Sequence, residues 1–120
     1  MSLVTERIED NVLYLELNGR IDSSNAEQAE VLIKAIREAH PDLQSVLDAE
    51  NLEYLSSAGL RVVLRMRRDT ADLKMINVST EVYEILDMTG FTDMLTVEKA
   101  LRRLSLDGCE LIAKGGNGAV

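Results

Sequence analysis

Tryptophan is absent from the 120 residues, phenylalanine occurs once and tyrosine three times. With aromatics at 3 % against 46 % hydrophobic residues, a core has to be assembled from Leu, Val, Ile, Ala and Met. That content belongs to a folded domain rather than a disordered tail, and the length suits one cored domain but not two. Cysteine is nearly missing as well. Cys109 alone cannot close an internal disulfide, and without Cys or His partners it makes no metal site. No apolar run is long enough to cross a bilayer or serve as a secretory signal, so no membrane partner and a cytoplasmic location are expected. The lone histidine, His40, precedes the lone proline, Pro41, at a helix end and reads as a surface or cap residue. A histidine-based triad therefore lacks support, and no catalytic residue, cofactor or metal is expected. Cations are also the minority: 13 Lys and Arg against 21 Asp and Glu leave a net charge of -8, which argues against nucleic acid as a partner.

The one dense basic stretch is Arg61, Arg65, Arg67 and Arg68. Arg61, Arg65 and Arg68 share one side of a helical pattern whose other side carries Leu60, Val63 and Leu64. The simplest reading is a solvated helix face, with protein docking as the alternative.

Strands and helices alternate along the chain. Val4 to Ile8 reads as an edge strand, Glu9-Asp10-Asn11 as a turn, and Val12 to Asn18 as a second strand with Leu13, Leu15 and Leu17 on one face. Ser24-Asn25-Ala26-Glu27 has the form of a capping box with Ser24 as cap, followed by Ala29, Leu32, Ile33 and Ile36 at core spacing and a stop at His40-Pro41. Ser45 to Asp48 reads as a short interior strand, 49–55 as a crossover, and a second helix runs to about Asp69. Leu73 to Val78 is the next strand. Ser79 or Thr80 can cap a third helix carrying Val82, Ile85 and Leu86, with Gly90 as its stop. Met94 to Val97 suggests a final strand and Glu98 to Leu104 a last helix. The class is α/β: a mixed sheet with helices packed mainly on one face.

Loops at the carboxyl ends of parallel strands gather on one edge, so Asp22, Asp48 and Ser57 are expected to converge there. In Ser56-Ser57-Ala58-Gly59-Leu60, an extended run gives way to a helical pattern. If Ser56 is the N-cap, its hydroxyl accepts from the first-turn N–H groups and the Ser57 hydroxyl points outward. Small Ala58 and Gly59 keep the approach open. A glycine in a helix interior costs about 1 kcal/mol against alanine, less near an end, so Gly59 needs a use such as close backbone passage or access for a partner. A phosphate on Ser57 would add a charge near -2, held by the helix field and by Arg61 one turn on, and repelled by Asp22 and Asp48. A plain helix cap is the other reading.

Gly19-Arg20-Ile21-Asp22, Val46-Leu47-Asp48, Tyr54 to Leu60 and Leu86-Asp87-Met88-Thr89-Gly90-Phe91 together resemble the STAS domain of bacterial anti-sigma factor antagonists, over about residues 4 to 100. The resemblance implies a phosphorylation-switchable binding module. Its partner would be an anti-sigma factor that is also a serine kinase, and a serine phosphatase would reverse the modification. By position, Ser57 matches the phosphorylated serine, with Ser56 as an alternative acceptor. Gly59 and Leu60 match the helix entrance, Asp22 and Asp48 match acidic positions beside it, and Ala58 and Arg61 complete the partner-binding set. Ser56 stands where many regulated members have aspartate, and Ala58 where many have serine or threonine.

The expected domain occupies 1–104, leaving a tail, 105–120. Within it, Ala113-Lys114-Gly115-Gly116-Asn117-Gly118-Ala119-Val120 resembles the glycine-rich loop that opens a protein-kinase-like domain. That implies a fragment of a longer protein in which the STAS module regulates or scaffolds a fused kinase-like domain, without a phosphoserine switch. A flexible glycine-rich terminus is the other reading. The apolar stretch before the glycines could instead pair with a sheet edge of another copy, as a weak homodimer.

Overall fold

The computed structural model describes residues 2–101. Five strands and three α-helices follow in the order β1 (Val4–Glu9), β2 (Val12–Ile21), α1 (Ala26–Ala39), β3 (Gln44–Leu55), α2 (Ser57–Asp69), β4 (Lys74–Val78), α3 (Thr80–Met88) and β5 (Thr96–Lys99), with a short 3-10 turn at Phe91–Asp93. The sheet order is β1-β2-β3-β4-β5, β1 antiparallel to β2 and every other pair parallel.

The β1–β2 hairpin closes on Asp10 and Asn11, both at positive φ (51° and 64°), as a two-residue turn between strands of right-handed twist requires. From β2 onward each helix carries the chain one strand further in the same direction. Right-handed crossovers then lay all three helices on one face of the sheet. Leu13, Leu15, Leu17, Leu47, Ala49 and Met75 are fully buried beneath them, joined by Ala29 and Ile33 of α1, Val62, Val63 and Met66 of α2, and Val82 and Leu86 of α3.

The opposite face carries a charged network. Arg7 reaches across β2, its Nη1 donating to Glu16 at 2.7 Å and to Asp48 at 3.1 Å, while its Nε meets Glu9 at 3.1 Å. The other oxygen of Asp48 accepts from the Glu50 N–H at 3.0 Å and from the Asn77 side chain at 3.1 Å. Asn77 holds a left-handed φ of 57° at a register shift in β4, a conformation that asparagine tolerates better than most residues.

Several sequence expectations are corrected. The strand expected at Ser45 to Asp48 runs from Gln44 to Leu55, so the supposed crossover 49–55 is sheet; its polar residues Glu50, Asn51 and Glu53 point to solvent after a bulge. The capping box at Ser24 does not form: α1 begins at Ala26 behind Asn25, with no side-chain cap, because the Ser24 hydroxyl is turned to Asp22. The last strand is shifted from Met94–Val97 to Thr96–Lys99, displaced by the turn at Phe91–Asp93, and Glu98 and Lys99 are strand rather than helix. Ala100 and Leu101 are not helical either, and residues 102–120, which hold the end of that expected helix, Cys109 and the glycine-rich tail, lie outside the described residues.

Candidate functional site

The paired ends of β2 and β3 set the site. Ile21 and Leu55 are register partners, and the first residue beyond β3 is tied back by a bond from Ser56 N–H to the Ile21 carbonyl at 3.0 Å. Ser56 keeps an extended backbone, and its Oγ accepts from the N–H groups of Ala58 at 3.2 Å and Gly59 at 3.4 Å. It is the N-cap of α2, as its place before the apolar helix pattern suggests. Ser57 is the first helical residue and exposed, and its hydroxyl makes no hydrogen bond to any described residue. The first turn of α2 carries no acid, while Arg67 and Arg68 occupy the last, so no side chain of that turn offsets its positive end.

Gly59 is where helix meets sheet. A Cβ there would stand 2.8 Å from the Ile21 carbonyl oxygen, 3.0 Å from Leu55 Cδ2 and 3.2 Å from Ile21 Cγ2. The use that a glycine in this turn calls for is thus close passage of backbone, which seats the α2 entrance directly on the β2 end.

Asp22 belongs to the same edge, one residue beyond Ile21. Its Oδ1 accepts from the Ser24 hydroxyl at 2.6 Å and the Ser24 N–H at 2.9 Å, and its own N–H donates to Asn25 Oδ1 at 2.9 Å. The Ser24 hydroxyl, then the Ser24 N–H, and then the nearby Arg20 charge hold the Asp22 carboxyl below the usual aspartate range. It is an anion at neutral pH.

Asp48 is not brought to this edge. It lies mid-strand, register partner of Glu16 and Ile76, and only 2 % exposed. Seven residues separate it from the end of β3, roughly 20 Å along a strand. The expected convergence therefore holds for Asp22 and Ser57 and fails for Asp48, whose place followed from ending β3 seven residues too early. Arg61 is exposed one turn beyond Ser57. Arg65 is not a merely solvated cation: it grips Glu30 of α1 with Nε at 2.7 Å and Nη2 at 2.8 Å. Arg67 Nε donates to the Met94 carbonyl.

Sequence reasoning passed over Arg20 and Tyr54. They are register partners on β2 and β3, with the guanidinium 4.4 Å from the ring centroid. The signal was alternation through the second half of β3, legible only once that segment is read as strand. A shallow cleft of ≈ 480 Å³ beside them is lined by Asn18, Gly19, Glu50, Asn51, Leu52 and Glu53. A larger concavity of ≈ 670 Å³ lies at the far end of the sheet, around Arg37, His40 and Ser45. Among the described residues no cluster of His, Cys, Asp and Glu is arranged to hold a metal, and no helix is long and apolar enough to cross a membrane.

This architecture has known counterparts. Residues 4–104 match the STAS domain family. A candidate anti-sigma factor antagonist of Bordetella bronchiseptica, BtrV, is 35 % identical over 101 residues, covering 81 % of this chain and 85 % of the relative. Among solved structures, a candidate anti-sigma factor antagonist of Thermotoga maritima superposes with a TM-score of 0.71 at 14 % identity, over 82 % of this chain and 87 % of the other. The anti-sigma factor antagonist SpoIIAA in its unphosphorylated form superposes with a TM-score of 0.61 at 20 % identity, over 78 % and 86 %. Those two likenesses concern the fold, whereas the family match and the Bordetella relative concern the sequence, and together they make this chain a STAS domain of the anti-sigma factor antagonist family.

Proposed function

We propose that the chain is a phosphorylation-switched binding module for an anti-sigma factor that is also a serine kinase, acting in the cytoplasm on sigma-factor-dependent transcription. The entrance of α2, with Asp22 beside it and Arg61 one turn on, is the docking edge, and Ser57 is the acceptor. Bound at this edge, the kinase directs the Ser57 Oγ to the γ-phosphorus of ATP. The Oγ–P bond forms as the bond to ADP breaks, and the hydroxyl proton passes to a base of the kinase. A serine phosphatase reverses the step by hydrolysis.

The observation that carries this reading is the division between the two serines. Ser56 is committed to the cap, whereas the exposed Ser57 hydroxyl is bonded to nothing among the described residues. Release follows from charge. The phosphate brings close to two negative charges to an edge already holding ionised Asp22, on a chain of net charge -8. A partner surface complementary to the neutral hydroxyl loses that fit. The cap is a neutral hydroxyl here, so the positive end of α2 stays available to the phosphate in the modified form.

The test is incubation with each anti-sigma factor kinase of the same genome and Mg-ATP, followed by mass-spectrometric localisation of phosphate. One phosphate on Ser57, abolished in Ser57→Ala and retained in Ser56→Ala, is the expected outcome. Phosphate on Ser56, or on neither serine with any kinase, overturns it.

A further inference from the structure

The open face of the sheet carries the same cross-strand arrangement twice. Arg7 faces Tyr14 across β1 and β2, and Arg20 faces Tyr54 across β2 and β3. In both, the guanidinium carbon lies 4.4 Å from the ring centroid. Leu13 and Leu15 flank Tyr14 on the helix-covered side, and Ile21 and Leu55 beneath Gly59 do the same for Arg20 and Tyr54, so both stacks lie on the uncovered side.

The two pairs differ in what the guanidinium meets. Arg7 is closed off by the chain's own carboxylates: Glu16 at 2.7 Å, Asp48 at 3.1 Å and Glu9 at 3.1 Å. Arg20 is exposed and its guanidinium bonds to none of the described residues. Asp22, the acid nearest in sequence, feels the Arg20 charge but makes no ion pair with the guanidinium, its Oδ1 being directed to Ser24. Stacking on Tyr54 restrains the planar fork and leaves its N–H edge to solvent, a form suited to bidentate recognition of a carboxylate. The mounting is firm, since the Arg20 carbonyl accepts from Asn25 Nδ2 at 2.9 Å and the next residue, Ile21, receives the Ser56 N–H. Arg20 thus keeps its N–H groups open to a partner on the same sheet edge as Ser57, in an acidic chain, with Asp22 as a nearby charge that does not bond to it.

We propose that Arg20, held on Tyr54, is a carboxylate-reading contact for the protein that docks at the α2 entrance, the partner supplying an Asp or Glu in the role that Glu16 and Asp48 fill for Arg7. This rests on the reading of that entrance as the docking edge. The contact selects among partners by sign, favouring an acidic side chain at this point and rejecting a basic one. Arg20 is a specificity residue, separate from the hydroxyl that is modified.

The test is the affinity of the chain, without ATP, for each anti-sigma factor kinase of the same genome, by titration calorimetry. Against the kinase that binds the wild type, Arg20→Ala is expected to weaken binding about tenfold and Arg20→Glu about a hundredfold, with thermal stability unchanged. Tyr54→Phe keeps the stack and is expected within about twofold of wild type, while Tyr54→Leu weakens binding several-fold. Arg68→Ala, exposed toward the far end of α2, is the control and stays at wild-type affinity. A single Asp→Arg or Glu→Arg change in the kinase should restore binding to Arg20→Glu. Binding of Arg20→Glu within about twofold of wild type overturns this inference alone. Wild-type chain that binds none of the kinases overturns the docking-edge reading and this inference with it.

Discussion

Ile21 fixes the candidate site at two points: its carbonyl accepts the Ser56 N–H at 3.0 Å and lies 2.8 Å from where a Cβ on Gly59 would stand. The β2 end and the first turn of α2 therefore move as one piece. A methyl group at position 59 has to displace a backbone carbonyl that is itself holding the cap residue. Gly59→Ala is expected to destabilise the fold by about 1–3 kcal/mol despite the better helix propensity of alanine. Thermal unfolding checks this, at roughly 4–8 °C per kcal/mol for a domain of this size.

The two serines should separate in stability as they do in geometry. Ser56→Ala removes the acceptor of the Ala58 and Gly59 N–H groups and is expected to cost about 1 kcal/mol, as N-cap deletions do. Ser57→Ala removes an exposed hydroxyl with no partner among the described residues and is expected to stay within about 0.5 kcal/mol of wild type. Urea unfolding of both variants measures the difference.

Much of this edge was legible because short-range chemistry writes it. Ser56 before an apolar helical pattern is a cap, Asp10-Asn11 a hairpin turn, and Gly90, at a φ of 82°, a helix stop, each decided by a few neighbouring residues. What escaped was decided by distant ones. Glu50, Asn51 and Glu53 look like loop, yet Asn51 pairs with Asn18 and Leu52 with Gly19 because β2 offers a register across a bulge. Ser24 looks like a cap, yet its hydroxyl donates to the Asp22 carboxylate and Asn25 takes the N-cap position. Asp48 looks like an edge residue until β3 is seen to run on to Leu55. Its partner Arg7, forty-one residues earlier in the chain, has no local signature.

That partnership has its own consequence. Arg7→Ala leaves Asp48, whose side chain is 3 % exposed, beside Glu16 with no cation between them. The cost is expected at about 2–3 kcal/mol, below that of a fully buried pair because Arg7 is a third exposed. Arg7→Lys, which cannot reach several carboxylates in one plane, should recover only part of it. Chemical denaturation of the three proteins gives the order.

The Arg65–Glu30 clamp between α2 and α1 gives a pH-dependent outcome. The hydrogen bond from Arg65 holds the Glu30 carboxyl below its usual range, against the opposing effect of burial. A depressed folded-state pKa contributes stability above the unfolded pKa, and that contribution is lost as pH falls through the folded value. The stability gap between wild type and Arg65→Met should therefore be small and present at pH 7, because so exposed an arginine is well screened by solvent, and shrink toward zero as pH falls below the glutamate range. Urea unfolding of both proteins at pH 7 and at about pH 3 checks it.

The switch itself is tested most directly by one comparison: the affinity of the anti-sigma factor kinase for the unmodified chain and for the chain carrying one phosphate on Ser57. The phosphorylated form is expected to bind at least about tenfold more weakly, with unchanged secondary structure, and phosphatase treatment to restore the original affinity. Equal affinity of the two forms would contradict the switch.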